Sequence, residues 1–224
     1  MGRDRTQAAG TGLRAGRTRP RRVPARQAAR PRGKRPLSTV RLFAGIPLGE
    51  ATQSAIAAAT RKVREREWPV RWTAPETWHL TVKFYGERDQ SEVEPITAGL
   101  DGAARGTPPL DLHFGALGTN GRGKRARVVW VEVDAPPAME LLHHRVEVAG
   151  EQIGVELDGR PFRPHLTLGR VRDGRQLPAE AEGVLAATAA DVSFLAEELV
   201  LYRSDLGPGG PKHSALRTWR LEAA

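Results

Sequence analysis

Two short stretches of this chain repeat one arrangement of residues that could carry acid–base chemistry. In "HLTV" His79 is followed two positions later by Thr81, and in "HLTL" His165 is followed by Thr167. An imidazole has an unperturbed pKa near 6.5, so it can give or take a proton near neutral pH. A hydroxyl can hold a phosphate oxygen where negative charge develops. The repeat therefore indicates metal-independent phosphodiester chemistry, in which one histidine activates water and the other protonates the departing oxygen.

Both stretches have the composition of β-strands, in which side chains alternate between two faces. His79, Thr81 and Lys83 are then expected on one face, and Phe84 with the aliphatic residues on the buried face. If two lobes pack about a pseudo-two-fold axis, the two His–Thr pairs can face each other across a groove. Two ordinary strand histidines are the alternative interpretation, but two such motifs in one chain are an improbable coincidence.

Five further residues are candidate substrate contacts. Arg163 precedes the second histidine by two positions, which suits a phosphate contact or a surface charge. Lys83 could reach RNA, although an exposed strand lysine is the commoner meaning. Trp130 and Phe43 could stack on a base, and core packing is the alternative for Trp130. Arg127, with the basic loop before it, could guide the RNA backbone or be a solvated charge.

The remaining elements must position these residues. Each half reads as a strand, a helix and a motif strand: Val40–Leu48 begins the first half, and Arg127–Asp134 begins the second. A helix with proline at its start follows the second of these strands. The sequence therefore predicts an α+β fold over residues 38–224, with two pseudo-symmetric lobes of antiparallel sheet and helices around a central groove.

Composition limits the function classes. The 224 residues include no cysteine, which excludes disulfides, thiolate nucleophiles and cysteine-ligated zinc. No apolar run approaches the roughly 18 residues of a membrane span, and no secretory apolar segment is present near residue 1. We expect a cytoplasmic protein with no membrane partner.

The net charge of +9 is unevenly distributed. Residues 1–37 carry a net charge of +11, and the other residues carry −2. This segment has almost no large apolar side chains and many prolines and glycines, so we predict a disordered basic tail. It could hold RNA phosphates, be an extension without function, or be an organellar transit peptide.

The motifs resemble a known family. "HLTV" and "HLTL" are similar to the two HxTx motifs of the 2H phosphoesterase superfamily. "RLFAGIPL", "WTAPETWHLTVKFYGE", "RPHLTLGR" and "ELVLYRSDLGPGG" resemble the RNA 2′,3′-cyclic phosphodiesterase family, also called the 2′-5′ RNA ligase family. The resemblance extends over about residues 40–222.

The resemblance implies a bilobal fold, no cofactor and hydrolysis of a terminal RNA 2′,3′-cyclic phosphate to a 2′-phosphate. It implies that His79 is the general acid that protonates the 3′ oxygen and His165 the general base that activates water. Thr81 and Thr167 match the phosphate-binding threonines. Reverse 2′-5′ ligation follows if acid and base exchange roles. The expected partner is an RNA end, with no metal, and the chain is expected to act as a monomer.

Three features depart from the family pattern. "KFYG" replaces the common "KFLG", His213 stands near the C-terminal strand where an aromatic residue is frequent, and the loop "NGRGKRA" is unusually basic. These departures bear on substrate preference and not on the chemistry, because none touches the HxTx residues. Two alternatives stay open. The near-neutral charge of residues 38–224 is compatible with a phosphodiesterase for a small cyclic phosphate or a 2′-5′-linked oligonucleotide, and the Arg-rich segment with a non-catalytic RNA-binding protein.

Overall fold

The computed structural model describes residues 39–120, 126–207 and 210–223. These residues belong to one compact unit. The basic segment 1–37 and the basic loop residues 121–125 lie outside the described residues, so the predictions made for them stay predictions.

The elements follow the predicted order of strand, helix and motif strand in each half. The first half consists of β1 (Thr39–Pro47), α1 (Glu50–Arg64), β2 (Val70–Trp72), β3 (His79–Asp89), α2 (Val93–Arg105) and β4 (Leu110–Thr119). The second half consists of β5 (Val128–Asp134), α3 (Pro137–Gln152), β6 (His165–Val171), α4 (Ala181–Ala186), β7 (Ala189–Ala196), β8 (Glu198–Gly207) and β9 (Gly210–Arg220). Pro137 is the first residue of α3, as the sequence predicts.

All nine strands of the described residues belong to one antiparallel sheet. Its order is β7-β4-β5-β6-β3-β1-β8-β9, and the short β2 pairs with the far end of β6. The two motif strands are therefore central neighbours, with Leu80 directly opposite Leu166. Both leucines are fully buried in the core on one face of the sheet. The α+β fold class is confirmed, and the motif strands pair directly in one sheet.

Each motif strand contains a β-bulge at the residue after its threonine. On β1, Ala44 and Gly45 pair with Lys83 and Thr81, which leaves Val82 as the extra residue. The ladder between β5 and β6 passes over Leu168 in the same way. A bulge frees a main-chain carbonyl, and a buried carbonyl needs another donor. His143 Nδ1 donates to the Val82 oxygen over 3.0 Å.

The Leu168 carbonyl is satisfied differently. Thr73 donates to it through both its main-chain nitrogen and its hydroxyl, each over 2.8 Å. The Trp78 indole in turn donates to the Thr73 hydroxyl over 2.9 Å. The segment before the first motif is thereby fixed to the second motif strand.

The bulge at Val82 makes the alternation predicted for β3 wrong beyond this residue. Lys83 turns into the core, where its ammonium lies 2.7 Å from the Glu147 carboxylate on α3, and the two side chains are 3% and 8% exposed. Lys83 also donates to the main-chain oxygen of Glu156 over 3.3 Å. Phe84, predicted to be buried, is 50% exposed. The buried Lys83 is therefore not an RNA contact in this structure.

Candidate active site

The four motif residues lie on one face of the two central strands. Leu80 pairs with Leu166, and each His–Thr pair flanks this contact point on its own strand: His79 and Thr81 on β3, and His165 and Thr167 on β6. These side chains alternate with the two buried leucines, so they lie on the opposite face of the sheet. The two motifs therefore converge where β3 meets β6.

Each histidine is oriented by a hydrogen bond of the same type, from Nδ1 to the main-chain carbonyl two residues before it. His79 Nδ1 lies 2.9 Å from the main-chain oxygen of Thr77, and His165 Nδ1 lies 2.8 Å from that of Arg163. A carbonyl can only accept, so the proton of the neutral ring belongs on Nδ1. In both rings Nε2 is then the nitrogen that can exchange a proton with a substrate.

Aromatic rings enclose His79. Its ring centroid lies 4.6 Å from that of Phe43, 5.8 Å from that of Tyr202 and 5.3 Å from that of His213. Phe43 is 3% exposed, because it stacks on Tyr202 and meets His213 edge-on. Phe43 is thus a wall of the histidine, and this structure leaves its ring covered rather than open to a base.

This enclosure changes the acidity of His79. Burial lowers the pKa of His79 from 6.5 to about 4, and the nearby His213 and Arg170 act in the same direction, while the bond to Thr77 opposes them. The ring is therefore neutral at pH 7 in the ligand-free protein. A neutral ring protonated on Nδ1 has an unshared pair on Nε2.

His213 shows that the sheet is curved. Strands β1 and β8 separate β9 from β3, so in a flat sheet with strands about 4.8 Å apart the two histidines would lie roughly 14 Å apart. Their ring centroids are 5.3 Å apart. The motif face is therefore concave on this side, and we call this concave face the groove.

Sequence reasoning noted His213 only as a departure from a pattern and did not assign it to the site. Burial lowers the pKa of His213, and Arg41 lowers it further. Its Nδ1 is buried and has no hydrogen-bond partner among the described residues. The signal that could have found it was the same departure, a histidine where an aromatic ring is frequent.

The surroundings of His165 are different. Trp130 lies across from Thr167 in the ladder, and its indole centroid is 4.7 Å from that of the His165 ring. Gly118 makes room for this indole, because a Cβ there would lie 2.8 Å from Nε1. Trp130 is half-buried beside His165 and does not belong to the hydrophobic core, so its stacking on a base stays a prediction.

Arginines near the second motif occupy three different situations. Arg170 lies beyond the bulge of β6 with an exposed side chain, and its charge contributes to lowering the pKa of His79, so it lies close to the site. The sequence prediction missed it, although it ends the segment "HLTLGR". Arg163 is exposed and supplies its carbonyl to His165. Arg127 is exposed and donates to the Ala126 carbonyl over 3.0 Å, so its RNA contact and the phosphate contact of Arg163 stay predictions.

No group of three or more His, Cys, Asp or Glu side chains within residues 39–120, 126–207 and 210–223 could hold a metal ion. In the same ranges, none of the helices has the length and apolar character needed to cross a bilayer.

Comparison with known proteins decides the family. A family model described as the 2′-5′ RNA ligase superfamily matches residues 52–208, which contain both motifs. The chain belongs to the 2′-5′ RNA ligase superfamily. Several curated relatives carry the name RNA 2′,3′-cyclic phosphodiesterase, in agreement with the family that the motifs resemble.

Two of these relatives show how far the superfamily similarity extends. The protein of that name from Thermus thermophilus is 30% identical over 189 residues, which are 81% of this chain and 90% of the relative. The one from Geobacillus stearothermophilus is 29% identical over 183 residues, which are 81% of this chain and only 57% of the relative. The crystal structure of TT0787 from Thermus thermophilus matches with a TM-score of 0.70 and 26% identity, over 82% of this chain and 98% of that one.

Proposed function

We propose that this protein hydrolyses a terminal RNA 2′,3′-cyclic phosphate to a 2′-phosphate by metal-independent acid–base catalysis. The observation that carries the proposal is the common face of His79, Thr81, His165 and Thr167, with both Nδ1 atoms bound to carbonyls. The relatives named RNA 2′,3′-cyclic phosphodiesterase support the substrate class.

In the proposed step, His165 Nε2 takes a proton from water as the water oxygen bonds to phosphorus. The bond from phosphorus to the 3′ oxygen breaks, and His79 Nε2 donates a proton to that oxygen. The Thr81 and Thr167 hydroxyls donate to the non-bridging oxygens, where charge develops. Reverse 2′-5′ ligation uses the same groups with acid and base exchanged and a 5′-hydroxyl in place of water.

The acid role of His79 places one demand on the substrate. With a pKa of about 4, His79 holds few protons at pH 7 in the free protein. An anionic phosphate next to the ring favours the charged imidazolium and raises its pKa. We therefore expect His79 to become a competent acid only when the cyclic phosphate is bound.

The test uses the purified full chain in EDTA with a short oligoribonucleotide that ends in a 2′,3′-cyclic phosphate. Phosphorus NMR should show conversion to a 2′-phosphate alone, and the His79→Ala and His165→Ala variants should lose it. A 3′-phosphate product would mean that the 2′ oxygen, and not the 3′ oxygen, is the leaving group. Loss of the wild-type reaction in EDTA, with recovery on adding a divalent cation, would overturn the metal-independent mechanism.

One observation favours a second candidate. Outside residues 1–37 the chain carries a net charge of −2, which is unusual for a surface that holds long RNA. A small cyclic phosphate would then be the substrate of the same four residues. Turnover of a cyclic mononucleotide with no turnover of the oligoribonucleotide would support this candidate.

A further inference from the structure

A large aromatic ring is exposed on the motif face, five positions after His79 on β3. Phe84 pairs with Phe43 across β3 and β1, so both side chains lie on the motif face. Phe43 is covered, while Phe84 is 50% exposed. The bulge at Val82 is the cause, because without it position 84 would face the core.

A guanidinium covers one side of this ring. The Arg41 Cζ atom lies 4.6 Å from the centroid of Phe84, within the range of a cation–π contact. In the described residues no carboxylate forms an ion pair with Arg41. Its charge contributes to lowering the pKa of His213, so it lies near the enclosure of His79. We call Arg41 and Phe84 the β1–β3 platform.

The platform begins where the wall of His79 ends. Arg41 is two residues from Phe43 on β1, a distance of about 7 Å along a strand. The equivalent position on β6, beyond the Leu168 bulge, is Arg170, which has no aromatic partner among the contacts of the described residues. Among the described residues, an exposed ring with a guanidinium over its face therefore occurs on the His79 side of the groove, with Glu87 across from Arg41 in the ladder.

Resting on the proposed function, we propose that the β1–β3 platform binds the nucleotide on the 5′ side of the terminal one. With the cyclic phosphate between the two histidines, the RNA can continue only through the 5′ oxygen of its last nucleoside. Phe84 then stacks on the base of the preceding nucleotide, which any base allows. Arg41 contacts a backbone phosphate. The natural substrate is accordingly an oligoribonucleotide end rather than a cyclic mononucleotide.

The test compares kcat/KM of the full chain on a cyclic mononucleotide and on a trinucleotide ending in a 2′,3′-cyclic phosphate. Base stacking is worth about 1–3 kcal/mol by alanine substitution, so Phe84→Ala should lose about 5- to 150-fold on the trinucleotide. The mononucleotide rate should change less than about two-fold, because the proposal assigns the terminal nucleotide to the two histidines and only the preceding one to the platform. Phe84→Trp should restore the trinucleotide rate, and Arg41→Gln should weaken its dependence on salt.

Two matched controls lie away from the groove. Arg66 covers Trp68 in the same type of contact, at 5.6 Å, and Leu195 on β7 is an apolar side chain with 52% exposure. Arg66→Gln and Leu195→Ala should leave both rates unchanged. Equal losses on both substrates in Phe84→Ala, or an unchanged trinucleotide rate, would overturn the proposal.

A binding measurement separates this inference from the proposed function. In the His79→Ala/His165→Ala background, the affinity for a labelled trinucleotide should fall on adding Phe84→Ala, as followed by fluorescence anisotropy. If wild type hydrolyses neither substrate but this affinity still falls, the reaction is wrong and the platform stands. If hydrolysis is observed and the affinity is unchanged by Phe84→Ala, the platform is wrong and the reaction stands.

Discussion

The His79 and His165 halves of the groove share a backbone and differ in their walls. Each motif strand anchors its histidine through Nδ1 to the carbonyl two residues before it, and each has its bulge after the threonine. Opposite the threonines, however, Gly45 on β1 corresponds to Trp130 on β5. A glycine admits a cluster of rings around the first histidine, and a tryptophan fills the same place beside the second. Two identical motifs thereby have different environments, which is a general means of dividing acid and base roles.

Removing either histidine, the feature that both halves share, should have the largest effect on the rate. We expect His79→Ala and His165→Ala each to lower kcat by at least ~10²–10⁴, the usual contribution of general acid–base catalysis. The double variant should be little worse than the more damaged single variant, because the two groups act in one step. Steady-state rates, with circular dichroism to verify folding, provide the measurement; strictly multiplicative losses would argue for independent roles.

The ion pair behind β3 is the next largest difference between the halves, since Gly169 takes the equivalent place of Lys83 on β6. Lys83→Met leaves the Glu147 carboxylate buried without its partner, which should cost about 3–5 kcal/mol of unfolding free energy. Lys83→Met/Glu147→Leu should recover most of it. Urea unfolding of the three proteins tests this, and a double variant no better than the single one would contradict it.

The aromatic enclosure predicts a pH response specific to His79. Its ring should titrate near pH 4 by NMR, because burial opposes the charged form. The unfolded chain takes up this proton near pH 6.5, so the folded state loses stability as pH falls from about 6.5 towards 4 and keeps it above that range.

Replacing the His79 imidazole should remove this dependence of stability on pH. His79→Asn should flatten the change in unfolding free energy between pH 7 and 5, with His144→Asn on the exposed side of α3 as the control. A bound 2′-phosphate product should move the NMR midpoint of His79 upwards. A midpoint unmoved by the product would contradict the expectation that a bound phosphate raises the pKa of His79.

Two glycines define the different walls and can be compared directly. A Cβ at Gly45 would lie 2.8 Å from the Leu80 carbonyl and press on His79, and one at Gly118 would displace the Trp130 indole. Each alanine variant should be destabilised by about 1–3 kcal/mol through overpacking. Gly102→Ala on α2, where a Cβ meets open space, should be stabilising by up to about 1 kcal/mol. Thermal unfolding tests all three. An unchanged stability of Gly45→Ala would show that β1 can move away from the Leu80 carbonyl.

The smallest expected difference is in the stability lost when a donor to one of the two bulge carbonyls, of Val82 or Leu168, is removed. His143→Phe keeps the ring that stacks on Phe162 but removes the donor to Val82, and should cost about 1–3 kcal/mol. Thr73→Val leaves its main-chain donor to Leu168 in place, so we expect about 1 kcal/mol in a Trp78→Phe background, where the variant leaves no indole donor without its acceptor. Equal costs in urea unfolding would mean that the two bulges are supported to the same degree.

Much of the site could be predicted from local sequence. A period of two places a histidine and a threonine on one face of any regular strand, and the repeated order of strand, helix and motif strand indicates two related halves. Both expectations hold within "HLTV" and "HLTL", where the backbone stays regular up to the threonine. They fail from Lys83 onward, because a bulge depends on the neighbouring strand and leaves no local mark in the sequence.

The sequence by itself determined which groups could do chemistry and that they come in two matched pairs. The tertiary structure alone decided that the pairs meet by pairing of β3 with β6, that Lys83 is buried while Phe84 faces the groove, and that His213 reaches His79. The physical reason is range: alternation is a property of one strand, whereas register, bulges and curvature arise from contacts between strands far apart in the chain.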